Sequence, residues 1–174
     1  GDKYEVSTES AEERAVRMPT IREELRDAPI FSMLGEEQID VLAQHATYHT
    51  YHPEETIVRA GSEDNSLLII TSGVVRVSKH DEAGTPFEIA RLGSGDIIGE
   101  MSLLTGEQRS ATVVAIVQVS LIQVTKEGLE PILKAEPALS DTFAQVMLER
   151  ELNNKQFLES MKQSAEQYGE IGRR

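Results

Sequence analysis

The chain has 174 residues, with 17 Lys and Arg against 30 Asp and Glu, and therefore a formal net charge of −13. That length suits one domain with a hydrophobic core and flanking helices, and the acidic balance argues against a nucleic-acid or anionic membrane surface as partner. Cysteine is absent, which excludes disulfides and thiolate sites and fits a cytoplasmic location.

The N-terminal part is predicted to be helical. Residues 1–20 are charged and weakly patterned, and we interpret them as a short or frayed helical leader. The first residue is Gly and no apolar signal segment follows, so we expect a piece of a larger protein. After this leader, Pro29 interrupts a helical pattern that resumes beyond Gly35, which predicts two short helices.

The middle of the chain has the two-residue period of β-strands. Two apolar runs flank Thr71-Ser72-Gly73, and apolar residues occupy alternate positions from Ala111 to Leu121. Turn residues recur between these runs. We predict a mainly β fold, an antiparallel β-roll or jelly roll of about eight short strands over residues 47–124.

Helical spacing returns after Thr125, where Pro131 is placed near the start of one helix and Pro137 before a longer one. One stripe on the longer helix contains Phe143, Met147, Arg150, Asn154, Phe157, Met161, Ala165 and Tyr168. We therefore divide the chain into a leader (1–20), a roll with short flanking helices (21–137), a C-terminal lid or coupling helix (138–168) and a tail (169–174).

The stretch from Gly93 to Ser110 carries the candidate chemistry. Gly99 joins a strand to a short helix, where free backbone amides favour an anion. Arg109 begins the next strand and can point back toward those amides, as the main local cation. Glu100 would repel a simple phosphate, so its carboxylate is expected to accept a hydrogen bond from a hydroxyl group of the same ligand.

The residues Gly99-Glu100-Met101-Ser102-Leu103-Leu104, followed by Arg109-Ser110-Ala111-Thr112-Val113, resemble the phosphate-binding cassette of cyclic nucleotide-binding domains. The resemblance extends from about Arg22 to about Arg150. It implies that Glu100 accepts the ribose hydroxyl and that Arg109 pairs with the cyclic phosphate. The residues it places around the sugar-phosphate also include Gly99, Met101, Ser102 and Ser110.

The same resemblance implies a last helix that folds over the base, with Arg150 stacked on or bonded to the purine. Its closest likeness is to bacterial channel-type members. Taken singly, Arg150 is equally well explained as a solvent-facing residue bonded to Glu149 or Glu151, and Arg109 and Glu100 as ordinary surface charges.

The expected function is non-catalytic binding of a cyclic purine nucleotide, with no metal. Ser110 in place of Thr favours cAMP over cGMP by the resemblance. The signal is expected to pass to a linked or neighbouring effector, an ion channel by preference, so the parent protein would be attached to a membrane on its cytoplasmic face. Residues 157–168 are expected to pack on the roll or to pair chains in a homo-oligomer.

Three alternatives remain open. The roll could be a structural or dimerising domain without ligand, or the regulatory part of a kinase or of a transcription factor. A cupin-like metal site would use His45, His49 and His52 with Glu54 or Glu55. The odd spacing of His49 and His52 argues against that site, because the two side chains would face opposite sides of a strand.

Overall fold

A computed structural model describes residues 20–146, 148–150 and 152. Most of the predicted leader, and the stripe residues Met147, Asn154, Phe157, Met161, Ala165 and Tyr168, lie outside the described residues. Before the first strand come helix α1 over residues 20–27, a 3-10 turn at Pro29–Phe31 and helix α2 at Glu36–Gln44.

Eight strands, all paired antiparallel, form two four-stranded sheets within the described residues. They are β1 (Ala46–Tyr51), β2 (Thr56–Val58), β3 (Leu67–Ser72), β4 (Val74–His80), β5 (Pro86–Gly93), β6 (Ile97–Ile98), β7 (Thr112–Ala115) and β8 (Val119–Val124). The first sheet has the order β1-β8-β3-β6 and the second the order β2-β7-β4-β5. The predicted antiparallel roll of about eight strands is confirmed.

Three helices complete the described chain. Helix α3 (Glu100–Thr105) lies between β6 and β7, and α4 (Lys126–Ala135) follows β8. Helix α5 is described at residues 137–146, 148–150 and 152. No helix among the described residues is long and apolar enough to cross a bilayer.

The core has two parts because the first sheet is covered on both faces. Successive residues of β3 alternate between them: Leu67 and Ile69 pack against the helices, while Leu68 and Ile70 pack between the two sheets. All four are buried. This explains why β3 reads as a continuous apolar run, as a strand buried on both faces does.

Two details differ from the sequence prediction. Val117 is 45% exposed, because the alternating run is interrupted at residues 116–118, where the chain passes from β7 in one sheet to β8 in the other. Pro131 is not near a helix start but lies inside α4. That helix begins earlier, where the Thr125 side chain accepts a hydrogen bond from the Gly128 N–H.

Candidate functional site

Gly99 joins β6 to α3 and brings the chain close to a buried side chain. Its φ is +98°, a left-handed conformation that favours glycine. A Cβ atom here would overlap Nη1 of Arg109 and lie 2.7 Å from the carbonyl oxygen of Ser66. Only a residue without a side chain therefore allows the guanidinium to lie against this turn.

Arg109 is a buried cation with free donors. Its side chain is 3% exposed, and Nη2 donates a 2.7 Å hydrogen bond to the Ser66 carbonyl. The Asp64 carboxylate is 3.5 Å from the same nitrogen. Nε and Nη1 are buried and have no hydrogen-bond partner in the described part of the chain. Buried donors without partners are costly, so these two atoms indicate a site for an anion.

Glu100 is the first residue of α3 and is 3% exposed. Nη1 of Arg150 lies 2.7 Å from each of its carboxylate oxygens. Nη2 of Arg150 donates to the carbonyl of Ile97 in β6. The Arg150 side chain is therefore neither free in solvent nor limited to its neighbours on α5: it attaches α5 to the strand and helix that flank Gly99.

All seven residues predicted for the site line one cavity of about 250 Å³. The structure brings together Gly99, Glu100, Met101, Ser102, Arg109, Ser110 and Arg150. The cavity also has an apolar lining from strands of both sheets, with Val58, Val77, Ile89, Leu92, Ile98 and Val113. A cavity lined by both charged and apolar side chains suits a ligand that is polar in one part and flat and apolar in another.

Sequence reasoning missed one cation of this cavity, Lys79. Arg91 also borders the cavity, but its side chain is 61% exposed and its Nε donates a 2.5 Å hydrogen bond to Glu88, whereas Lys79 is half-buried. The alternation of β4 is the signal that could have found Lys79, because it stands two residues after Val77 and so on the same face. Arg109 shares the cavity with Lys79 and Arg150 and is the most buried of the three, and its role as the main local cation stays a prediction.

Behind Arg109, polar side chains connect β1, β8 and the segment that precedes β3. The Ser66 hydroxyl donates to Asp64 and accepts from Nε2 of Gln123, at 3.0 and 2.9 Å. Nε2 of His49 in turn lies 2.8 Å from Oε1 of Gln123 and 3.0 Å from the Thr47 hydroxyl. His49 is thus part of the hydrogen-bonded wall behind the guanidinium.

The proposed histidine cluster does not assemble. His45 follows α2 and packs against Gly128 of α4, while His52 lies beyond the end of β1 and is exposed. Among the residues with described positions, no group of three or more His, Asp or Glu side chains is arranged to hold a metal ion.

A family profile and the most similar relatives agree on one protein family. The profile described as "Cyclic nucleotide-binding domain" matches residues 48–136. The cyclic AMP receptor protein of Thermus thermophilus is 27% identical over 72% of this chain and 58% of its own length. A cyclic nucleotide-gated potassium channel of Mesorhizobium japonicum is 30% identical over 70% of this chain and 32% of its own.

A third relative is a cAMP-dependent protein kinase regulatory subunit of Yarrowia lipolytica, 30% identical over 63% of this chain and 28% of its own length. Among solved structures, the regulatory subunit of a cAMP-independent protein kinase A from Trypanosoma brucei has a TM-score of 0.72 at 24% identity, over 85% of this chain and 53% of that one. This likeness shows the fold. The chain spans less than two thirds of the length of each of these proteins.

Proposed function

The chain belongs to the family of cyclic nucleotide-binding domains, which are regulatory and non-catalytic, and we propose that its cavity binds a 3′,5′-cyclic purine nucleotide, cAMP in preference to cGMP. The observation that carries this proposal is the buried guanidinium of Arg109, which lines the cavity and has two nitrogens without a hydrogen-bond partner among the described residues. The cyclic phosphate carries one negative charge, which one guanidinium can neutralise through paired hydrogen bonds.

The proposed sugar contact is made by Glu100. Its two oxygens offer about four acceptor positions, and Nη1 of Arg150 uses part of that capacity. The remaining lone pairs are available to a ribose 2′-hydroxyl. Arg150 also neutralises the carboxylate, so the Glu100–Arg150 pair carries no net charge. An acidic residue can therefore lie close to a bound anion without repelling it.

The proposed base position is between the apolar strands. Val77, Ile89 and Val113 provide flat contact area for a purine ring. Ser110 lines the same cavity and, by the family resemblance, supports cAMP over cGMP. Arg150 remains the proposed contact from α5 to the purine, either directly or by holding the helix across the cavity.

Coupling to an effector is proposed to run through α5, because Arg150 links this helix to both Glu100 and Ile97. Ligand binding would then shift the position or order of α5, to the extent that the two arrangements differ in affinity. We propose an ion channel as the effector and the cytoplasmic face of a membrane as the location. The similarity to the potassium channel supports an ion channel as effector. The similarity to the kinase regulatory subunit and to the cyclic AMP receptor protein supports the alternatives, a kinase or a transcription factor.

Isothermal titration calorimetry with cAMP and cGMP tests the binding. We expect Arg109→Leu to lower the affinity for cAMP about tenfold or more, because a hydrogen bond to a charged group contributes about 1.5–3 kcal/mol. Arg76→Leu is the matched control, since Arg76 bonds Glu54 and does not line the cavity. Absence of binding heat with both nucleotides would instead favour a structural roll without ligand.

The sugar contact has its own test. Glu100→Ala should narrow the difference in affinity between cAMP and 2′-deoxy-cAMP, because the acceptor of the 2′-hydroxyl is lost. A preference that stays as large in the variant as in the original chain would contradict the role of Glu100.

A further inference from the structure

Lys79 occupies a distinctive place in the cavity wall. It lies on β4, where it shares a face with Val77 and is paired in register with Phe87 of β5. The preceding residue, Ser78, is opposite Thr112 at the start of β7, next to Ser110 and Ala111 of the same cavity. Lys79 thus lies beside the apolar residues Val77 and Phe87 in the strand wall of the cavity.

The ammonium group of Lys79 is free to meet a ligand. It has no hydrogen bond or ion pair within the described residues, unlike the other cations of the cavity. Arg91 bonds Glu88, Arg150 bonds Glu100 and Ile97, and Arg109 bonds Ser66. Since Nη1 and Nη2 of Arg150 are already engaged, Lys79 is the cation with all its donors available beside the apolar wall.

A lysine ammonium has three donors and no acceptor, so it distinguishes purines by their acceptors. Guanine presents O6 and N7 side by side as two acceptors, whereas adenine presents N7 beside an amino donor. A donor-only group at this edge is therefore matched to a 6-oxopurine and meets an unfavourable donor on a 6-aminopurine.

We propose that Lys79 is a specificity-determining residue that donates hydrogen bonds to the O6/N7 edge of 6-oxopurine cyclic nucleotides. This inference rests on the proposed function of the cavity. Its effect opposes the preference for cAMP attributed to Ser110, so the affinity for cAMP exceeds that for cGMP by less than it would without Lys79. The half-buried position of Lys79 allows its apolar stem to remain on the wall while its head reaches the edge of the base.

The test is calorimetric titration of the full chain and of Lys79→Met with cAMP, cGMP and cIMP, which has O6 and N7 but lacks the 2-amino group of guanine. We expect the variant to bind cGMP and cIMP about fivefold or more weakly, the lower end of what such a paired contact contributes. Its affinity for cAMP should stay within about twofold. Lys79→Arg keeps paired donors and should retain most of the affinity for cIMP.

Two results would overturn the inference. Equal weakening of all three nucleotides would mean that Lys79 acts on the shared phosphate, and equal affinities in both chains would mean that it contacts no ligand. Failure of the proposed function looks different, because the unaltered chain would then bind none of the three. Melting temperatures without ligand verify that each variant is folded.

Discussion

Single residues decide whether the cavity keeps its buried charge in place. Gly99 leaves room for the guanidinium of Arg109, and its left-handed backbone starts α3 at Glu100. Two charged residues that are nine positions apart in the sequence thus border one cavity. Their separation depends on the turn at Gly99 as much as on their own side chains.

Replacing Gly99 by Ala should therefore damage binding more than folding. The new Cβ would overlap Nη1 of Arg109 and crowd the Ser66 carbonyl, so the guanidinium can no longer occupy its position in the cavity wall. We expect a fall in cAMP affinity of at least tenfold, comparable to losing a charged hydrogen bond of about 1.5–3 kcal/mol, as measured by calorimetry.

Gly84→Ala is the matched control for this prediction. Gly84 also has a positive φ, +83°, but a Cβ there meets no atom within 4 Å. Both substitutions should lower the melting temperature, since an L-residue in the left-handed region costs roughly 1–2 kcal/mol. Only Gly99→Ala should change the affinity, and an equal effect of both on binding would show that backbone strain alone is responsible.

Helices α1 and α5 pack on the roll through buried apolar side chains, Ile21 and Leu25 in α1 and Leu139 and Phe143 in α5, and the bond of Arg150 to Glu100 adds a polar contact for α5. Much of the strand pattern could be predicted from the sequence, because alternation reports which face of a strand is buried. The partner of Arg150 could not be predicted from the sequence, because 50 residues separate Arg150 from Glu100. Helical spacing shows only which face of α5 Arg150 occupies. Lys79 was missed because a single lysine in a strand resembles a solvated one until the opposite wall is known.

Arg150→Met should loosen the attachment of α5 and leave the Glu100 carboxylate without its ionic partner. We expect faster amide hydrogen exchange in residues 137–146, because the contact holding the helix to β6 and α3 is lost. Glu149→Gln, an exposed change on the same helix, is the control. Unchanged exchange in α5 of the Met variant would show that other contacts hold the helix and would weaken the proposed coupling route.

The attachment of α1 should depend on pH. Burial raises the pKa of the Glu24 carboxyl, a hydrogen bond with Thr71 opposes that rise, and the charge of Asp27 adds to it. Because the folded-state pKa exceeds the ordinary value of 4.5, the folded protein binds more protons. The contribution of Glu24 to stability is therefore present below pH 4.5 and is lost as pH rises through the raised pKa.

Urea unfolding between pH 4 and 7 measures this effect. Glu24→Gln should remove the decline that Glu24 contributes, so the free energy of unfolding should fall less with rising pH than in the original chain. The exposed neighbour Glu23, changed to Gln, should leave the slope as it was. Parallel profiles for the original chain and Glu24→Gln would contradict the assignment.

At the scale of the whole molecule, charge is distributed unevenly. The chain has a net charge of −13, yet Lys79, Arg109 and Arg150 line one cavity with Glu100. Composition alone could predict the acidic average but not this local excess of cations, because it arises from strands and a helix brought together by folding. The net charge of the chain therefore does not describe the charge that a ligand meets in the cavity.

Self-association through residues 157–168 stays a prediction from their apolar spacing. Sedimentation velocity should give a mass above the 19.3 kDa of one chain. Changing Phe157 and Met161 to Glu should return the protein to the mass of a monomer, because charges cannot be buried unpaired in an apolar contact. A monomer at all concentrations of the original chain would contradict pairing and favour packing of this segment on its own roll.

The hydrogen bond from Nη2 of Arg109 ends on a main-chain oxygen, the carbonyl of Ser66. Every amino acid has that oxygen, so a substitution at residue 66 keeps this contact wherever the backbone path is kept. The substitution still removes the hydroxyl that bonds Asp64 and Gln123. No other side chain has the planar fork of donors of Arg109, so a substitution at residue 109 loses the contact itself, and the two positions differ in their tolerance to mutation.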